Sequence, residues 1–205
     1  MSLSTLLDAT TLLQGFGPWV LVGLAGIVFI ESGVLFPFLP GDSLLVTAAI
    51  LRHDLSIRVW TLLLVAAIAA VLGDQVGFWL GRRFGRGLFS PDARVLKTDH
   101  LHKAEAFFAK HGAFALVLGR FVPIVRTYVP VAAGTADMTY RKFFGWNVLG
   151  AIGWVVSMVL VGVLLGDIPG IAHRIDAIML VIVGLSVLPI VLSYLNQLRL
   201  ARVEK

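Results

Sequence analysis

The chain has 205 residues, 58% of them hydrophobic and only 14% charged, with a mean hydropathy of +0.91. Soluble domains run nearer ~45–50% apolar, and one of this length could not hide the excess, so a soluble globule is excluded and an integral membrane protein is expected. The absence of cysteine rules out disulfides, thiol chemistry and cysteine-based metal sites, and the net charge of +5 carries meaning through where the charges lie, not through affinity for nucleic acid.

The length fits one membrane domain, residues 1–205. The first basic residue is Arg52, so the N-terminus lacks the basic region of a cleavable signal. Residues 1–16 read instead as an interfacial helix, with Leu3, Leu6, Leu7 and Leu13 at roughly helical spacing. Five apolar blocks follow. The first, 18–51, is broken by Pro37, Pro40 and Gly41. The second, 57–81, is unbroken. A polar segment, 82–112, contains a helical pattern from Thr98 to His111, with Thr98 or Asp99 as N-cap and Gly112 beyond its C-terminus. Leu101, Ala104 and Phe108 share one face of it, and the helix is expected to lie on the inner leaflet. The third block, 113–136, is broken by Arg120, Pro123, Arg126 and Pro130. The fourth and fifth, 143–166 and 171–196, are unbroken, and 197–205 is a tail.

A transmembrane helix needs about 20 residues. The unbroken blocks satisfy that. Neither broken block can cross twice, and a single crossing would leave backbone groups unpaired in lipid. Each is therefore expected to be a re-entrant hairpin. With the N-terminus outside and the C-terminus inside, twelve of the seventeen lysines and arginines fall on the cytoplasmic side; Arg52, Arg58 and Arg174 fall outside, and Arg120 and Arg126 lie within the third block. This threading makes an inverted repeat, an arrangement in which paired Pro/Gly-broken segments point to a transport site near the midplane.

Glu31, Asp42, Asp74, Arg120 and Arg126 place charge in or beside apolar segments, at ~2.5–3.5 kcal/mol each on the insertion scale. They read as an ion or substrate pathway, or as salt bridges that hold the hairpins in place. Arg120 and Arg126 flank Pro123, and guanidinium forks there suit the phosphate of a lipid headgroup. Glu31 and Asp42 could take up protons when desolvated, or counter the arginines. Asp74 is a gating group or a structural partner. Pro37, Pro40, Gly41, Pro123, Pro130 and Gly134 set hairpin geometry. Gly73, Gly77, Gly81 and Gly85 repeat every four residues and form a packing face within one chain or between two, which makes a homodimer one option. Gly162 and Gly166 form a weaker pair. His100 and His102 read as a solvated pair, without the further ligands a metal would need. No nucleophile elbow, P-loop or dinucleotide fingerprint occurs, so no enzyme is expected.

At these residues the sequence resembles the DedA family, also called the SNARE-associated or VTT-domain family. The stretch from Glu31 to Asp42 looks like that family's acidic, proline-rich hairpin. Gly73, Asp74 and Gly77, followed by Gly81 and Arg82, look like its glycine-rich helix. Gly119, Arg120, Phe121, Val122 and Pro123, then Arg126, Pro130 and Gly134, look like its second hairpin. Tyr140, Phe143, Asn147, Gly150 and Trp154 continue the match, which covers roughly residues 25 to 160. The resemblance implies two opposed re-entrant hairpins, with Glu31, Asp42, Arg120 and Arg126 as functional residues. Asp42 stands where many relatives carry glutamate. Bacterial members are implicated in returning undecaprenyl phosphate across the cytoplasmic membrane, and eukaryotic relatives are phospholipid scramblases. The expectation is thus an all-α, polytopic inner-membrane protein, an inverted repeat of two re-entrant helical hairpins each followed by transmembrane helices. It would move an anionic lipid, undecaprenyl (polyprenyl) phosphate first, with or without protons and with no cofactor or metal. The alternatives are a passive phospholipid scramblase, a small-anion or solute transporter, and a scaffold for an envelope-synthesis enzyme.

Overall fold

Helices form wherever apolar residues run without proline, and each stops where proline, glycine or charge interrupts. The computed structural model describes residues 13, 15–33, 41–90 and 98–168, and every regular element among them is helical. We label the α-helices α1 (Val20–Gly33), α2 (Gly41–Ile50), α3 (Val59–Phe84), α4 (Thr98–His111), α5 (Ala115–Leu118), α6 (Pro123–Thr135) and α7 (Tyr140–Gly166). At ~1.5 Å rise per residue, α3 and α7 are about 39 and 40 Å long and are the two described helices long and apolar enough to cross a membrane. α1, α2 and α6 are too short to cross alone, at about 21, 15 and 20 Å. The expected interfacial helix lies almost wholly outside the described residues, as do Pro37, Pro40, the fifth block at 171–196 and the tail at 197–205.

Each broken block supplies two limbs. In the first, α1 and α2 flank residues 34–40. In the second, α5 leads through a short 3₁₀ turn, Gly119–Phe121, to Val122, whose extended backbone (φ −114°, ψ 108°) ends the first limb. Pro123 then begins α6 at a first-turn position, where its missing N–H is no loss.

The limbs pack on the long helices in a regular way. α1 and α6 lie against α3, and α2 and α5 lie against α7. α1 follows the first half of α3, meeting Gly73 at its end; a Cβ on Gly33 would collide with the Gly73 carbonyl. α6 follows the second half, with Pro130 on Gly77 and Val131 on Gly81, and a Cβ on Gly134 would strike the Phe78 carbonyl. The glycine face of α3 is thus used inside one chain at Gly73, Gly77 and Gly81. Gly85 does not share it: it has open space around it and a φ of +56°, and it ends the helix. Gly162 and Gly166 are likewise internal, facing α2 and Arg52.

Two apolar cores result. Leu24, Val28, Leu45, Ala66, Ala70 and Trp154 fill one around the first hairpin. Phe78, Leu116, Tyr128, Val131 and Phe143 fill the other around the second, with Phe78 and Phe143 stacked at 4.1 Å between centroids. Away from both, α3 and α7 expose Trp60, Leu64, Ile68, Leu72, Ile152, Val156 and Leu160, an apolar exterior suited to hydrocarbon.

The structure corrects the reading of α4. Its apolar face packs on α6, with Leu101 and Ala104 fully buried in the second core, and is not free for the inner leaflet. Arg86 pairs with Glu105, and His100 Nδ1 lies 3.3 Å from the Tyr128 hydroxyl, so His100 is not a solvated histidine. On the outer face of α4, Lys103 one turn on holds the Asp99 carboxyl below the usual carboxylate range. Arg52, expected in an outside loop, is buried and pairs with Asp167 just beyond α7.

Candidate functional site

The limb ends Gly33 and Gly41 and the turn at Arg120 come together near Gly73 and Asp74 on α3, and the five costly charges meet there too. They form two linked clusters. Arg120, in the 3₁₀ turn after α5, donates to Asp74 and, at 2.8 Å, to the side-chain oxygen of Asn147 on α7. Asn147 in turn donates to the Val71 carbonyl of α3 at 3.2 Å. Gly150 lets the first limb approach α7, since a Cβ there would meet the Leu116 carbonyl at 2.8 Å and Arg120 Nε at 3.3 Å. Arg120 and Asp74 are both buried, and Arg120 Nε has no hydrogen-bond acceptor among the described residues.

Arg126, on the first turn of α6, forms the other cluster. Its two terminal nitrogens donate to Asp42 of α2 and Glu31 of α1. Trp154 of α7 completes the group: its indole N–H donates to Asp42 at 3.0 Å, and Arg126 lies over its ring at 5.0 Å, within cation–π range. Gly41 opens α2 where a Cβ would collide with the Glu31 carboxylate, so the glycine gives that side chain its place. Pro130 and Gly134 act further along, where α6 crosses α3.

Ser32, Asp74, Arg120, Arg126 and Trp154 line one small space of about 10 Å³. That is roughly the room for a single water and far too little for a phosphate group. Each arginine is already held by carboxylate, so an anion can enter only by displacing a present partner or by taking the open Nε of Arg120. Sequence reasoning picked out all five charges but gave no functional role to Asn147 or Trp154. The available signal was position: a lone amide within an apolar block, and a tryptophan in mid-span where that residue prefers the interfaces. Among the described residues no group of histidine and carboxylate side chains is placed to hold a metal.

Two long apolar helices, two broken hairpins packed on them, and a charge cluster at their meeting point define a helical membrane protein with a buried polar centre. The VTT-domain model matches residues 36–164. Protein DedA of Escherichia coli K12 is 39% identical over 196 residues, covering 93% of this chain and 89% of that protein. Uncharacterized membrane protein Rv0364 of Mycobacterium tuberculosis is 42% identical over 181 residues (87% and 80%), and inner membrane protein YqjA of E. coli K12 is 34% identical over 168 residues (81% and 75%). The chain belongs to the DedA (VTT-domain) family of membrane proteins. No solved structure matches it.

Proposed function

We propose that the protein is a transporter, not an enzyme, and that it carries an anionic lipid, undecaprenyl (polyprenyl) phosphate, across the bacterial cytoplasmic membrane. The observation that carries this reading is the convergence of Arg120 and Arg126 on one buried space. A guanidinium fork matches phosphate oxygens, and Arg120 Nε is a donor still without an acceptor among the described residues. Three carboxylates and two guanidiniums leave one formal negative charge. An entering phosphate adds more, so Glu31 or Asp42 has to release Arg126, and protonation of either is the simplest way to do so. Asp42 has the more room to swing away from Arg126, with a 39% exposed side chain against 6% for Glu31.

The inverted-repeat reading has support in the packing. Exchanging α1, α2 and α3 for α5, α6 and α7 turns the α1–α3 contact into α5–α7, and the α2–α7 contact into α6–α3; all four are present. The N-outside, C-inside orientation rests on the positive-inside charge count alone, and it would set Arg52 and Asp167 at the outer end and Arg86 and Glu105 at the inner end.

Proteoliposomes holding labelled undecaprenyl phosphate test the reading. Arg126→Ala and Arg120→Lys are expected to slow leaflet exchange about ten- to a hundredfold, the worth of one charged hydrogen-bonding group. Circular dichroism and gel filtration confirm that the variants are folded. Exchange at the unmodified rate in both would end the lipid-phosphate reading. Glu31→Gln and Asp42→Asn test the proton step separately: an unchanged rate with an unchanged pH profile would remove it.

A further inference from the structure

The seam between α3 and α7 carries a groove of about 280 Å³ whose wall is wholly apolar, formed by Trp60, Leu64 and Ala67 on one side and Ile152, Val155 and Val156 on the other. It extends about 10 Å along α3. Below it the seam continues into the polar centre. Val71 lies one turn beyond Ala67, and Asn147 lies just over one turn before Ile152; their hydrogen bond joins the two helices there. Asn147 also occupies a donor of Arg120, which in turn holds Asp74. On the inner side of the same stretch, Trp154 adjoins Val155 and touches both Arg126 and Asp42. The apolar groove on the exterior and the buried guanidiniums thus lie along one helix seam, with the buried amide of Asn147 closing the way between them.

We infer that this seam is the lateral entry for the lipid: a hydrocarbon chain lies in the α3–α7 groove while its phosphate takes the place of Asn147 on Arg120. The inference rests on the lipid reading above and adds to it a chain-binding site and a gate. A wall without a polar atom suits a hydrocarbon chain and offers nothing to a polar segment. It lies on the exposed apolar side of the two helices long enough to cross a membrane. One turn beyond the groove stands Asn147, which hydrogen-bonds the arginine proposed to take the phosphate, and that order fits a ligand with an apolar chain and an anionic head. Asn147 is here a positioning residue, acting through Arg120.

The test uses the full chain in nanodiscs, with undecaprenyl phosphate as one probe and inorganic phosphate as the other. Ala67→Phe fills the groove from its floor, and Leu64→Trp fills it from the exposed rim without entering the core. Both are expected to weaken undecaprenyl phosphate binding about tenfold, the loss of a few buried methylenes, while inorganic phosphate binding stays within about twofold. A photoreactive side chain at Leu64 is expected to capture the lipid. If both variants bind the lipid like the parent chain, the groove is not its site, although the lipid reading stands. If the parent chain does not take up undecaprenyl phosphate at all, both readings fall. Capture of a second copy of the chain at Leu64 would make the groove a subunit interface and overturn the inference.

Discussion

Arg120 and Arg126 lie six residues apart on one hairpin, yet they are held in different ways. The partners of Arg120 are Asp74 and Asn147, both on regular, membrane-length helices. The carboxylates that hold Arg126, Glu31 and Asp42, sit on either side of the break in the other hairpin, and one of them is partly exposed. The first arrangement ties a hairpin to the frame. The second ties hairpin to hairpin, and it can open without unwinding either long helix. The same residue type therefore serves as an anchor in one place and as an exchangeable ligand in the other, because of where its partners are mounted.

The largest expected effect breaks the anchor. Asp74→Ala leaves Arg120 buried with only an amide for company, and removing one partner of a buried pair costs about 3–5 kcal/mol. Thermal unfolding in detergent is expected to show a loss of that order, whereas Asp42→Ala, at a partly exposed site, loses clearly less. Equal losses would erase the distinction between anchor and exchangeable ligand.

A smaller effect tests the frame on which the two clusters sit. Gly81→Ala drives a methyl group into the Val131 backbone, at about 1–3 kcal/mol. Gly77→Ala meets its nearest atom, on Pro130, at 3.4 Å and is expected to be close to neutral. Thermal unfolding of the two variants side by side measures how tightly α6 is pressed on α3, and equal outcomes would contradict the packing described.

The smallest stability effect belongs to Asp42→Asn. The amide oxygen still accepts from Trp154, and only the charge on Arg126 is lost, at less than about 1 kcal/mol at this partly exposed position. Its effect should appear in transport and its pH profile instead. A large loss of stability with normal transport would make Asp42 a structural group.

Much of this was legible in the residues. The unbroken runs behind α3 and α7 and the Pro/Gly breaks between the shorter helices follow from backbone chemistry, since lipid offers no partner for an unpaired N–H or C=O. The five intramembrane charges stand out because each is costly there. The amphipathic pattern of α4 was also plain, but an apolar stripe looks the same whether it meets lipid or protein, and here Leu101 and Ala104 meet α6. The glycine repeat had the same ambiguity: small residues permit close approach without saying whose backbone approaches.

What the sequence by itself determined was the membrane class, the positions of the breaks and the identity of the costly charges, because these depend on composition and on local backbone rules. The pairing of those charges was decided only by the tertiary structure. Glu31 and Arg126 are far apart in the chain, as are Asp74 and Arg120, and an ion pair is specified by which elements pack together, not by sequence spacing. Close packing through Gly33, Gly73, Gly81 and Gly134 sets the limbs on one long helix, and that packing turns five separate charges into one buried centre.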